Sequence, residues 1–346
     1  MSLDGELNAL KHQNYSKNVI PFIQIVKDIK KKNSKASILA DIKEIIQSKP
    51  DNNFFITVPR NLNLSKKQLK NPVQTFFEEI NKNDGYHLNI LNQFGMYPNV
   101  IPVMEVDLEK YTPGDLLRFK NGITTSSKSF CYRIEAKHLN LIKTELYSLI
   151  TKDDYLIYDL NDMEFSKNSV KNEIKELYKM KLEKGFRTIV IKQIYKELTF
   201  PKYPDGLITL NSDAFDCIDF DFYADFKTQH FDYFGDWAGI RNNPIYGGGL
   251  SYPSYLTIEM DNFNHHGFKG IEKDVNSYRL VLNKYVNSLH WTNKLTKAHK
   301  DSCYGCEIIQ NFNLGLDNSV NATKWKAITV SHFLDTMDYK IENSII

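Results

Sequence analysis

Four cysteines (Cys131, Cys217, Cys303 and Cys306) in 346 residues are too few to build a secreted scaffold from disulfides, and two of them fall inside strand-like runs. No apolar run approaches the roughly 20 residues that span a bilayer, and the start of the chain shows no apolar signal core. Together these absences predict a protein of the reducing cytoplasm, with no membrane partner. An excess of one charge is missing as well. With 44 Lys and Arg against 42 Asp and Glu, the formal net charge is +2, which gives no support to a binder of polyanions over its whole surface. A local basic patch such as Lys27 to Lys35 reads as a solvated helix surface, so nucleic acid is not expected as a partner. There is no nucleophile elbow, no Walker loop and no dinucleotide-binding glycine pattern. Those absences exclude the most easily recognised hydrolase and nucleotide-binding classes.

What the chain does have is a sizeable apolar fraction, 42%, beside 25% charged residues, ordinary values for a globular protein with a substantial core. Between residues 215 and 240 carboxylates alternate with large apolar residues. At a period of two, Cys217, Asp219, Asp221 and Tyr223 face one way and Ile218, Phe220, Phe222 and Ala224 the other. The stretch ends in the compact turn Gly235-Asp236-Trp237-Ala238-Gly239.

Similar apolar and β-branched runs recur along the chain, at residues 19–26, 54–58, 100–106, 130–136, 155–160 and 187–195, most followed by a segment of helical periodicity. Residues 34–48, 65–81, 139–150 and 166–184 are such segments, and Gly185 is a helix stop. Asn18-Val19-Ile20-Pro21 is echoed by Asn99-Val100-Ile101-Pro102, with Glu105 standing where Gln24 stood. Adding residues 217–224 and 231–240 makes eight strand candidates. The predicted fold class is α/β, a (β/α)8 TIM-like barrel over residues 1–241. An α-rich C-terminal extension, 242–346, is expected to pack on it within the same domain. A doubly wound open sheet is the alternative, and the count of eight favours closure.

In such a barrel the reactive groups come from the C-terminal ends of the strands. The polar residues there are Gln24, Arg60, Glu105, Asp107, Arg133, Glu135, Asp159, Asn161, Lys192, Asp219, Asp221 and Asp236. Acids outnumber bases, and an unpaired carboxylate in a dry interior is driven to protonate. Two readings compete. In one, Glu105, Asp159, Asp219 and Asp236 hold a divalent metal such as Mg²⁺, with Asp236, Asp219, Asp221 and Lys192 as catalytic groups and Arg60, Arg133 and Trp237 binding substrate. In the other, the same charges form an interior salt-bridge layer that sets strand order and does no chemistry. The first implies a metal-dependent hydrolase of a phosphorylated or nucleotide-like substrate. The second implies a silent barrel that recognises a protein partner, through the aromatic-rich segment 246–268.

Other signals are weaker. Tyr246-Gly247-Gly248-Gly249 lacks a nucleotide-loop pattern. Neighbouring His265 and His266 point opposite ways in an extended chain. Cys303-x-x-Cys306 needs two more ligands for zinc, and His299 and His290 lie upstream.

The Val19-Ile20-Pro21 strand, the Gly235-Asp236-Trp237 turn, Cys303-x-x-Cys306 and the tail from Asn321 to His332 (NATKWKAITVSH) together resemble the phage beta-protein family. The resemblance implies a barrel protein carried by phages and bacterial mobile regions, with a part in phage–host conflict. It carries over no catalytic residue.

Overall fold

The computed structural model describes residues 3–28, 37–59, 71–105, 111–161, 163–192, 206–210, 222, 225–238, 254–258, 265–269, 277–317 and 321–345. The chain divides into two compact units. One comprises Ile20–Gln193 and Asp221–Asp236, the other Met1–Val19, Ile194–Phe220 and Trp237–Ile346. Ten strands follow in chain order: β1 (Phe22–Gln24), β2 (Phe54–Thr57), β3 (Val100–Glu105), β4 (Cys131–Glu135), β5 (Tyr155–Asp159), β6 (Arg187–Ile191), β7 (Gly206–Leu210), β8 (Tyr233–Gly235), β9 (Ser254–Ile258) and β10 (His265–Lys269). The helices are α1 (Leu3–His12), α2 (Ile38–Ser48), α3 (Asn71–Lys82), α4 (Asp84–Asn92), α5 (Asp115–Gly122), α6 (Leu139–Leu149), α7 (Asn168–Lys184), α8 (Ser277–Val286), α9 (Lys297–Ser302), α10 (Tyr304–Asn313) and α11 (Ala322–Glu342).

The first unit is a seven-stranded parallel sheet in the order β1-β2-β3-β4-β5-β6-β8. The order never reverses, so the topological switch of a doubly wound sheet is missing among the described strands and that alternative falls. Strands β2, β3 and β5 are buried along their whole length, as expected where helices cover a parallel sheet. The period of two then sorts the side chains. Phe55, Ile101, Val103, Cys131, Tyr155, Ile157, Ile189 and Ile191 form one apolar layer on one face. Glu105, Arg133 and Asp159 continue that same face at the C-terminal ends.

Connections between strands are pinned by side chains that satisfy helix ends. Asn99 donates from Nδ2 to the carbonyl of Ile46 in the last turn of α2 and to those of Lys49 and Asn52 just past it. Glu173 on α7 accepts the N–H groups of Lys137 and Leu139 at the start of α6. Gly185 closes α7 with a left-handed φ of 76°, as its position in the sequence predicts.

The expected eight-stranded closed barrel is not what forms. Among the described residues seven parallel strands are present, and β1 and β8 do not pair. Strand β8, from the stretch read as the eighth strand, lies directly beside β6. In the stretch read as the seventh, Phe222 is helical, as is Asp225 just beyond it. The Phe226 N–H donates to the Phe222 carbonyl at 3.3 Å, and both rings are buried. An apolar pair four residues apart serves a helix; the rest of the stretch read as the seventh strand, 217–221 and 223–224, lies outside the described residues.

In the second unit β7, β10 and β9 make a three-stranded antiparallel sheet. Helices α8, α10 and α11 share a core of Val281, Leu282, Tyr285, Ile309, Phe312, Trp325 and Ile328. A β-carbon on Gly305 of α10 would lie 2.6 Å from the Ile328 carbonyl oxygen, so only glycine lets α10 and α11 approach this closely. Helix α1, which the periodicity did not reveal, packs on α11. Lys326 pairs with Glu6 at 3.1 Å, and Gln13 donates to Asp335 at 2.9 Å. No helix among the described residues is long and apolar enough to cross a membrane.

Candidate functional site at the strand ends

The parallel register sets Glu105 of β3 beside Arg133 of β4, and Glu135 of β4 beside Asp159 of β5. Arg133 therefore reaches two carboxylates. Its Nη1 donates to Glu105 Oε1 at 2.6 Å, and its Nε and Nη2 both donate to Asp159 Oδ2, at 3.1 and 2.5 Å. All three side chains are nearly or wholly buried, and the Phe22 ring lies 5.7 Å from the guanidinium carbon. Charge-assisted bonds of this kind are short and directional, and the planar fork suits two acceptors. The guanidinium occupies the place between Glu105 and Asp159.

Glu135 is one step further along the same face and is half-buried. Burial first, and the negative charge of Asp159 second, raise its carboxyl above the ordinary value of 4.5, against the opposing pull of Arg133 and His138. Asp159 accepts from the Asn161 N–H through its other oxygen at 2.9 Å. The loops that follow β4, β5 and β8 each hold a non-glycine residue at positive φ: Lys137 at 78°, Asn161 at 52° and Ala238 at 52°. Such strain concentrates at binding and catalytic loops.

Lys192, at the end of β6, is 1% exposed and pairs with Glu164 at 2.9 Å. Glu164 comes from the loop after β5 and carried no periodic signal in the sequence. Asp236 and Trp237 are half-buried just past β8. The glycine before them is a strand residue whose β-carbon would sit 2.9 Å from Ile191 Cγ2. It is there for close strand packing, and the left-handed position of the turn belongs to Ala238. Gln24 lies half-buried at the end of β1. Arg60, Asp107, Asp219 and Asp221 lie outside the described residues, as do Tyr246 to Gly249. Of the aromatic-rich segment 246–268, the described parts are β9 and the start of β10.

The structure thus brings Glu105, Arg133, Glu135 and Asp159 together and pairs Lys192 elsewhere. Glu135 appeared in the sequence only as one polar strand end among several. Its distinction comes from its cross-strand neighbour.

A second group of side chains lies in the other unit. His299 (α9), Cys303 and Cys306 (start of α10) and His332 (α11) are all buried, with one nitrogen or sulfur of each within 4.8 Å of the others. His299 was one of the two upstream histidines considered for zinc. The other, His290, is not in the group, and His332 takes the place instead. The Cys303 thiol is raised by burial, but hydrogen bonds from Cys306, His299 and His332 outweigh this and hold it well below the usual range. Burial pushes His332 down. His299 is lowered by burial but lifted more strongly by Asp335 and Cys303, to about 9.

Comparison with curated proteins and with solved structures finds no match. The family model described as Beta protein matches residues 2–337, nearly the whole length, and the chain therefore belongs to the Beta protein family.

Proposed function

We propose that the strand ends of the parallel sheet form a hydrolytic site for a phosphorylated or nucleotide-like substrate. The observation that carries this reading is the Glu135–Asp159 pair, two neighbouring carboxylates in unlike surroundings. Asp159 is tied to Arg133, while Glu135 is pushed toward its protonated form. A carboxyl pushed toward its protonated form beside a second carboxyl is a usual basis for assigning a proton donor.

In this reading Glu135 gives a proton to the leaving oxygen. Lys192 positions an anionic group. Because Arg133 already supplies the positive charge between Glu105 and Asp159, a divalent cation such as Mg²⁺ falls to Asp236. The biological setting, conflict between phage and host, rests on the resemblance described above.

The test is turnover of phosphomonoesters, phosphodiesters and nucleoside triphosphates by the purified protein with Mg²⁺ or Mn²⁺. Hydrolysis is expected to fall as pH rises through the elevated Glu135 value, and to be lost in Glu135→Gln while the fold is kept. No turnover across the panel, or turnover indifferent to Glu135→Gln, overturns the reading.

A further inference from the structure

We propose that His299, Cys303, Cys306 and His332 bind one Zn²⁺ in a closed tetrahedral centre, and that this centre holds together the helices of the second unit. The inference is independent of the strand-end reading, because it concerns metal content and stability and not turnover.

The ligand atoms are of the right kind, and they lie within 4.8 Å of one another, about 1 Å from the spacing that a tetrahedral zinc imposes. His299 Nε2 lies 3.0 Å from His332 Nδ1, and Cys306 Sγ lies 3.9 Å from the same nitrogen. Zinc bonds of about 2.3 Å to sulfur and about 2.0–2.1 Å to nitrogen place tetrahedral ligand atoms roughly 3.3–3.8 Å apart. Two thiolates and two imidazoles select Zn²⁺ over Mg²⁺ or Ca²⁺, which take oxygen.

The surroundings make the same point. The two cysteines belong to the apolar core formed with Leu282, Ile309, Trp325 and Ile328, and the four ligands are 0–3% exposed. Four side chains of metal-ligating type thus converge at a point enclosed by apolar core. Buried thiols are also out of reach of a disulfide-exchange substrate, which argues against a redox CxxC.

A supporting layer surrounds the four. Asp335 contacts His299 Nδ1, so that Nε2 faces the other three ligands. This carboxylate–histidine arrangement is the one that zinc ligands commonly use. Asp335 is in turn held by Gln13 Nε2 at 2.9 Å and Ser302 Oγ at 3.3 Å, and Gln13 Oε1 accepts the Tyr304 N–H at 2.8 Å. The Cys306 N–H donates to Cys303 Sγ at 3.4 Å. Gln13 follows α1, so residues from α1 to α11 converge on one point. Four protein ligands leave no position for water or substrate, which makes the centre structural and not catalytic.

The full-length protein, purified without added metal, is expected to carry one equivalent of zinc by elemental analysis. A mercurial that titrates the cysteines is expected to release that zinc to a chromogenic chelator. Cobalt exchanged into the site is expected to show tetrahedral d–d bands and thiolate charge transfer. Cys306→Ser and His332→Ala are expected to lose the metal. Asp335→Asn is expected to keep it with affinity weakened on the order of 10–100-fold in chelator competition. Wild-type protein free of transition metal that also fails to take up zinc or cobalt overturns the proposal. Iron in place of zinc overturns it too, as does zinc content unchanged in both ligand variants. The wild-type measurements decide the matter even where a ligand variant does not fold.

Discussion

Glu135 of β4 lies directly opposite Asp159 of β5 in the parallel register, and only Asp159 is tied to Arg133. Like charges on neighbouring strands destabilise each other, and protonating Glu135 relieves the repulsion. The folded state holds that proton above the ordinary Glu value of 4.5. The associated stability is therefore present below that value and is lost as pH rises through the elevated folded one. Melting temperature measured across this range is expected to decline with rising pH in the wild type and to flatten in Glu135→Gln. An unchanged slope in the variant counts against the assignment.

Among the described residues, Arg133 is the only cation bonded to both Glu105 and Asp159. Arg133→Met strands two buried carboxylates, and breaking such a network costs about 3–5 kcal/mol. Arg133→Lys is expected to recover little, since a single ammonium does not reproduce the planar fork. Urea denaturation of the three proteins checks this. A loss below about 1 kcal/mol in Arg133→Met indicates a solvated pair, not a buried network.

Glu173 accepts from the Lys137 and Leu139 N–H groups and from the Tyr158 hydroxyl, all at 2.7–3.0 Å, and is 4% exposed. Glu173→Gln replaces one acceptor oxygen by a donor facing these donors. Each buried donor left unpaired costs about 1–3 kcal/mol, so a loss of roughly 2–4 kcal/mol is expected. Amide exchange at the start of α6 should accelerate in parallel. Full stability in the variant rules out this capping role.

Gly305 and Gly114 separate two reasons for glycine. At Gly305 a β-carbon meets the Ile328 backbone, at 2.6 Å from its oxygen and 3.1 Å from its Cα. At Gly114 there is open space, but φ is +97°. Gly305→Ala is expected to cost on the order of 1–3 kcal/mol by forcing α10 and α11 apart. Gly114→Ala is expected to cost about 1 kcal/mol through backbone strain alone. Only the first should weaken metal retention in chelator competition. Equal effects on metal retention reject the close-approach explanation.

Much of the sheet was legible because it is buried on both faces. Val100 to Glu105 and Tyr155 to Asp159 read as unbroken apolar runs ending in an acid, and they are strands with that acid at the expected end. Helices with a clear stripe or stop, such as α2 and α7, were legible too. Helix α1 was not, because its partner α11 lies more than 300 residues away and its own stripe is weak. The alternation at 217–224 falls outside the described residues except for Phe222, which is helical. Phe222 and Phe226 fit a helix as well as Phe220 and Phe222 fit a strand, and local pattern does not choose between them.

The chemistry divides along the same line. By itself the sequence determined the supply of groups: acids at strand ends, a CxxC, histidines scattered through the C-terminal third. Which of these meet was decided by tertiary structure. Strand register gave Asp159 to Arg133 and set Glu135 beside it, and the close approach of α10 and α11 at Gly305 brought His332, and not His290, to Cys303 and Cys306. The physical reason is that a side chain's partner across a sheet or between helices is fixed by packing between segments far apart in the chain. No periodicity within one segment records that distance.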